Sequence, residues 1–142
     1  MRELGVADTH GILGLPSVRP DRTSEGLGWE HLYLSTQREQ PYREAFDGAP
    51  SHLLILHLDG PVTVRRGQRG LSATRRVPRG GLFLHPAGTA LDVELGGRLE
   101  TVHVYLSDTF LLTLTELPWL VLIPMPNLGV SVGAAGWLSG VV

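Results

Sequence analysis

The stretch Gly80-Gly81-Leu82-Phe83-Leu84-His85-Pro86-Ala87-Gly88 decides the fold. Pro78-Arg79 leads into it, and the paired glycines supply the positive φ of a tight turn at no steric cost. Residues 82–85 read as a short strand, which Pro86 ends because it has no N–H to give the ladder. Gly88 permits a second tight turn, after which Leu91, Val93 and Leu95 alternate with Asp92 and Glu94. Turn, strand, turn, strand at this pitch suits a small β-barrel or jelly roll.

The same grammar extends in both directions. Residues 30–35 alternate Leu32 and Leu34 against His31 and Tyr33, and residues 53–58 form a nearly continuous apolar run, as a buried strand does. Asp59-Gly60-Pro61 is a turn before Val62 and Val64, and Gly67-Gln68-Arg69-Gly70 is a hairpin connection. Residues 99–106 set Val102, Val104 and Leu106 on one face and Thr101, His103 and Tyr105 on the other. Turn signals recur about every ten residues, the spacing of an all-β sandwich or barrel. The predicted fold is all-β: an antiparallel barrel or double-sheet jelly roll over residues 27–106. Leu53, Ile55, Leu82, Leu84, Leu91 and Val93 are its expected core. Residues 1–26, rich in Gly, Pro and charge without lasting periodicity, are expected to form an irregular arm.

Composition bounds the function. A chain of 142 residues with 42% hydrophobic and 18% charged residues makes one globular domain. A net charge of −2 gives no global attraction to nucleic acid or to an acidic membrane. With no cysteine, disulfides, thiolate metal sites and cysteine catalysis are excluded. The N-terminus carries no apolar run long enough for a signal peptide, so a cytoplasmic location is expected.

Residues 107–142 break the pattern. Only Asp108 and Glu116 are charged there, and residues 117–142 carry no charge at all. Pro118, Pro124, Pro126, Asn127 and four glycines argue against a membrane helix. Leu111, Leu112, Leu114 and Leu117 predict a short helix over 107–117 that Pro118 ends, followed by a strand over 119–123. Loose or partner-dependent structure is expected after Pro124. So apolar a segment should pack on the barrel or on a partner chain.

The chain has six histidines, but no His-x-His pair and no carboxylate at ligand spacing behind one, so no metal site is expected. No Gly-x-Ser-x-Gly elbow supports a serine hydrolase. Arg65, Arg66, Arg69, Arg75, Arg76 and Arg79 could grip phosphates. Without aromatic neighbours they read instead as a solvated hairpin that blocks edge pairing.

Two resemblances follow from these residues. The spacing Gly80, Pro86, Gly88 resembles the second motif of the cupin superfamily, whose metal-binding histidine would fall on Leu91 here. Residues 24–106, a little over half the chain, resemble the N-terminal, cupin-like ligand-binding domain of AraC-family transcription regulators. That likeness rests on Ser24-Glu25-Gly26-Leu27-Gly28-Trp29, on the strand 53–58 with Asp59-Gly60, on the 78–88 unit and on 99–106. The resemblance implies a barrel that binds a small effector or mediates homodimerisation, without cofactor or catalysis. Trp29, Tyr33, His57, His103 and Tyr105 are the candidate ligand-binding residues, because they put aromatic or polar tips on otherwise apolar strands. No helix-turn-helix follows, so no direct specific DNA binding is expected, and a truncated regulator with a frame-shifted tail is one reading of 107–142. The alternatives are a small cupin enzyme, an isomerase or metal-dependent oxygenase, and a domain that only assembles.

Overall fold

Eleven strands carry the described part of the chain, which in this computed structural model comprises residues 2–108 and the strands at 130–132 and 137–140. In order they are β1 (Val18–Thr23), β2 (Leu32–Glu39), β3 (Tyr42–Phe46), β4 (Ser51–His57), β5 (Val62–Gln68) and β6 (Leu71–Val77), then β7 (Leu82–His85), β8 (Leu91–Leu95), β9 (Leu99–Ser107), β10 (Val130–Val132) and β11 (Trp137–Gly140). They form a seven-stranded sheet in the order β1-β2-β9-β4-β7-β11-β10 and a four-stranded sheet in the order β3-β8-β5-β6. The pairings are antiparallel, and the two sheets share one core, the arrangement of a jelly roll.

The turns fall where the glycines require them. Gly80 (φ 85°) and Gly88 (φ 74°) are left-handed and bracket β7, while Gly70 (φ 81°) closes the β5–β6 hairpin. Leu53, Ile55, Leu91 and Val93 are buried as expected, together with Val62, Val64, Leu95 and Leu99.

Leu82 and Leu84 are not core residues. On β7, Phe83 stands opposite Ile55 and His85 opposite Leu53, and directly paired residues share a face. Phe83 and His85 therefore point inward, while Leu84 is 37% exposed. In a four-residue strand the apolar pattern Leu-Phe-Leu suits either face, and the pairing with β4 decides between them.

Residues 1–26 hold more structure than an irregular arm. Two short 3-10 turns, Val6–Asp8 and Ile12–Gly14, bury Leu4 and Ile12, and β1 pairs with β2 at the edge of the larger sheet. Strand β1 reads Val-Arg-Pro-Asp-Arg-Thr. Its charges and its bulge between Pro20 and Arg22 protect an exposed edge, and they also erase the alternation by which a strand is recognised.

The helix expected over 107–117 and the strand over 119–123 lie outside the described residues. Beyond Pro124, where loose or partner-dependent structure is expected from sequence, β10 and β11 form a small antiparallel pair, and β11 sets Trp137 opposite Phe83 and Leu138 opposite Leu82 on β7. A sheet edge supplies the partner that this uncharged, glycine-rich sequence lacks by itself. Among the described residues no helix is long and apolar enough to cross a membrane.

Candidate ligand-binding site

The central strands of the larger sheet turn their polar side chains inward. Strand β2 buries Tyr33, Ser35, Gln37 and Glu39, and β9 buries Leu99, Thr101, His103 and Tyr105. Strand β4 buries Ser51, Leu53, Ile55 and His57. The alternate residues, Leu32, Leu34, Leu54, Leu56, Val102, Val104 and Leu106, lie on the other face and are only half-buried. Register stacks the inward set in rows across β2, β9 and β4: Tyr33, Tyr105 and Leu53; Ser35, His103 and Ile55; Gln37, Thr101 and His57. From the opposite sheet, β5 adds Arg66, which is 1% exposed and lies with its guanidinium carbon 5.8 Å from the centre of the Phe83 ring.

Hydrogen bonds fix the chemistry of one end of this interior. Thr101 Oγ1 donates to Glu39 Oε2 at 2.7 Å, so it must accept from Gln37 Nε2, 2.6 Å away. The Gln37 amide is thereby oriented. Tyr42 donates a longer bond to Glu39 Oε1, at 3.4 Å. Arg66 Nη1 lies 2.7 Å from His57 Nε2, and because a guanidinium can only donate, that imidazole is neutral with its proton on Nδ1. Burial and the Arg66 charge together push His57 down to about 3. The same two causes, burial first, hold His103 at about 3. Burial raises the Glu39 carboxyl, while Arg66 and the hydroxyls of Thr101 and Tyr42 pull it back. Arg66 is itself lowered by burial and supported by Glu39. Two buried opposite charges thus compensate one another inside the barrel.

Several polar atoms of the middle row and its neighbour have no hydrogen-bond partner. Ser35 Oγ, Gln37 Oε1 and both ring nitrogens of His103 are buried without a hydrogen bond, and His103 Nε2 stands 3.9 Å from Glu39 Oε2. At the other end Tyr105 Oη lies 2.9 Å from His10 Nδ1 and accepts from the His10 backbone N–H at 3.2 Å. The His10 ring packs against His85 and Phe46 with centroids 5.7 and 6.4 Å away, so the N-terminal segment seals this end. Burial, reinforced by His85 and His103, lowers His10 to about 4. Burial raises the Tyr105 phenol.

Of the residues singled out from sequence, Tyr33, His57, His103 and Tyr105 meet in this interior. Trp29 does not: it sits on the β1–β2 loop, 42% exposed, where its carbonyl accepts from Leu4 N. Sequence reading missed Ser35, Gln37, Glu39, Thr101, Tyr42 and His10. It also placed Arg66 with the solvated arginines. Arg65 and Arg69 behave as expected of those, pairing with Glu94 at 3.2 Å and Asp92 at 3.8 Å. Arg66 differs because it shares the parity of Val62 and Val64 on β5, a signal present in the sequence.

The donor set does not suit a metal ion. Among the described residues no three His, Asp or Glu side chains converge. Arg66 occupies the lone pair of His57 and sets a fixed positive charge beside any cation. Leu91, where the motif's histidine would stand, is a fully buried core residue.

No protein-family model matches the sequence, and no curated protein is similar to it at sequence level. Solved structures do resemble the fold. The EutQ protein of Clostridium difficile aligns with 66% of this chain and 72% of its own at 16% identity, with a TM-score of 0.50. Hydroxypropylphosphonic acid epoxidase from S. wedmorenis aligns with 65% of this chain and 52% of its own at 11% identity and the same TM-score of 0.50. A cupin domain from Bordetella pertussis Tohama I aligns with 65% of this chain and 95% of its own at 13% identity, with a TM-score of 0.48. The fold shared with the first two is an all-β jelly roll of antiparallel strands.

Proposed function

We propose that the chain is a small-molecule-sensing domain of the kind that AraC-type transcription regulators carry beside their DNA-binding helices, and that it acts on its ligand by binding alone. The observation that carries this reading is the unpartnered set Ser35 Oγ, Gln37 Oε1 and His103 in the barrel interior. A buried polar group left unmatched costs about 1–3 kcal/mol, so a row of them is a standing cost that a bound molecule relieves. The effector sits between the sheets and meets β2 and β9 together, the two strands whose pairing spans the larger sheet. Through them its presence reaches the outer apolar face, where dimerisation takes place. Effects on DNA are exerted through a separate DNA-binding region, and the chain described here has no direct sequence-specific affinity for duplex.

A thermal-shift screen of the intact chain against small metabolites tests this. Saturable stabilisation by at least one compound, lost in Gln37→Leu, supports the proposal. Stoichiometric iron, manganese or zinc in the purified protein would overturn it in favour of a cupin enzyme.

A further inference from the structure

We infer that the ligand of this barrel is a small uncharged molecule that presents an N–H or O–H donor beside an acceptor, as an amide or a hydroxylated compound does. The inference rests on the barrel being a ligand site, as proposed above, and names the class of molecule that the site takes.

The hydrogen-bond demand of Gln37, His103 and Ser35 sets the donor and the acceptor. Thr101 donates to Glu39 and accepts from Gln37 Nε2, which leaves Gln37 Oε1 turned away from that network and able only to accept. A ligand must therefore bring it a hydrogen. His103, a neutral imidazole, offers one N–H and one bare nitrogen, both without a protein partner. Ser35, directly opposite His103 in the ladder, either donates or accepts. A carboxylate has no hydrogen for Gln37, and a purely cationic donor has nothing to accept from the imidazole N–H.

Charge points the same way. Arg66 and Glu39 already compensate each other and are each 1% exposed. A ligand anion would add a second buried negative charge beside Glu39, and a ligand cation would add one beside Arg66. Either would be left without its own counter-charge in a low-dielectric interior. Size follows from the strand: Ser35 and Gln37 are two residues apart, about 7 Å, which a molecule of a few heavy atoms bridges.

Acetamide, acetate and acetamidinium share one shape and differ in charge. Each is titrated at neutral pH into the full-length chain, with binding read from the His103 ring and the Gln37 side-chain amide by NMR. Acetamide is expected to give saturable shifts at both groups, at least about tenfold tighter than either ion. Ser35→Ala and Gln37→Leu should each weaken it several-fold. Each variant is first checked for a native backbone spectrum, and if Gln37→Leu fails to fold, Ser35→Ala carries the test. Acetate or acetamidinium binding as tightly as acetamide overturns the ligand class while leaving the barrel a ligand site. No saturable shift from any of the three overturns the class, and water contacts at His103 would then mark a hydrated polar core and overturn the ligand-site reading as well. Acetamide binding that both variants leave unchanged places it elsewhere and overturns the inference.

Discussion

Replacing Arg66 by methionine keeps much of its volume and removes its charge, leaving Glu39 buried opposite His103 without its counter-ion. Breaking a buried pair from one side costs about 3–5 kcal/mol, because the surviving charge keeps its desolvation penalty and loses its compensation. The lower half of that range is expected here. Burial already raises the Glu39 carboxyl, and Thr101 and Tyr42 still hydrogen-bond it, so it can take up a proton and shed part of the penalty. At a urea m-value of about 2 kcal/mol/M, the denaturation midpoint of Arg66→Met should fall by about 1.5–2 M at pH 7.5. Glu39→Gln should cost a similar amount, because it removes the carboxylate that supports the buried Arg66 charge. In the double variant neither charge of this pair remains, and its stability should return to within about 1 kcal/mol of the parent. The sign with pH is fixed as well. In Arg66→Met the Glu39 carboxyl is pushed further above its unfolded value, so its protonated form is favoured by folding. The penalty is then smallest at low pH and grows as pH rises through the folded-state value. Single substitutions that cost less than about 1 kcal/mol, or a double variant that equals their sum to within about 0.5 kcal/mol, would refute the compensated pair.

His10, His57 and His103 are held near 4, 3 and 3 in the fold against an ordinary value of 6.5. The unfolded chain therefore binds more protons between those values. Stability should be complete above pH 7 and decline as pH falls from 6.5 towards 3, more shallowly in His103→Phe, as urea midpoints against pH will report. Gly48→Ala would place its Cβ 2.6 Å from the Gly88 carbonyl carbon, a backbone atom that can yield only by moving the β7–β8 turn. A loss of about 1–3 kcal/mol is expected in thermal unfolding. Tyr105→Phe removes the hydroxyl that holds His10 and should cost about 1–2 kcal/mol, with faster proteolytic cleavage before residue 15 than in the parent. Ser35→Ala deletes an unpartnered buried hydroxyl and should leave stability within about 1 kcal/mol of the parent or raise it, in the same urea assay.

The turns were the most legible part of the fold, because glycine and proline act locally. Gly80, Gly88 and Gly70 could be placed from their neighbours alone, and the strands between them followed. Facing was harder. Leu82 and Leu84 looked like core and are not, because the register with Ile55 and Leu53 is a tertiary fact that a four-residue strand does not encode. Strand β1 was invisible for the opposite reason, since the charges and proline that protect an edge suppress the alternation that announces a strand. In the candidate site the aromatic and histidine members stood out, whereas Ser35, Gln37 and Glu39 resembled ordinary solvent-facing residues of an amphipathic strand. Trp29 reads in sequence as an aromatic tip on an apolar strand, whereas it stands on the loop before β2 and is 42% exposed.

The inward facing of these polar residues has a physical lesson. A half-buried strand ordinarily turns its apolar face inward, and on that rule Leu32, Leu34, Leu54, Leu56, Val102 and Val104 should lie between the sheets. Facing β2, β4 and β9 the other way, a shift of one residue in which positions turn inward, would put them there and expel Ser35, Gln37, Glu39, His57 and His103 to water. The native facing keeps the polar set inside. Leu53, Ile55, Leu99, Tyr33 and Tyr105 share that parity, and Arg66, Glu39 and Thr101 match one another only in that facing. Burial of the aliphatic rows alone would favour the reversed arrangement. The chain forgoes it to hold a charged and hydrogen-bonding interior whose middle row its own side chains do not complete. Departures of this kind from the locally cheapest solution concentrate at functional sites. Here the departure runs through three adjacent strands around His103, and the proposed ligand site rests on it.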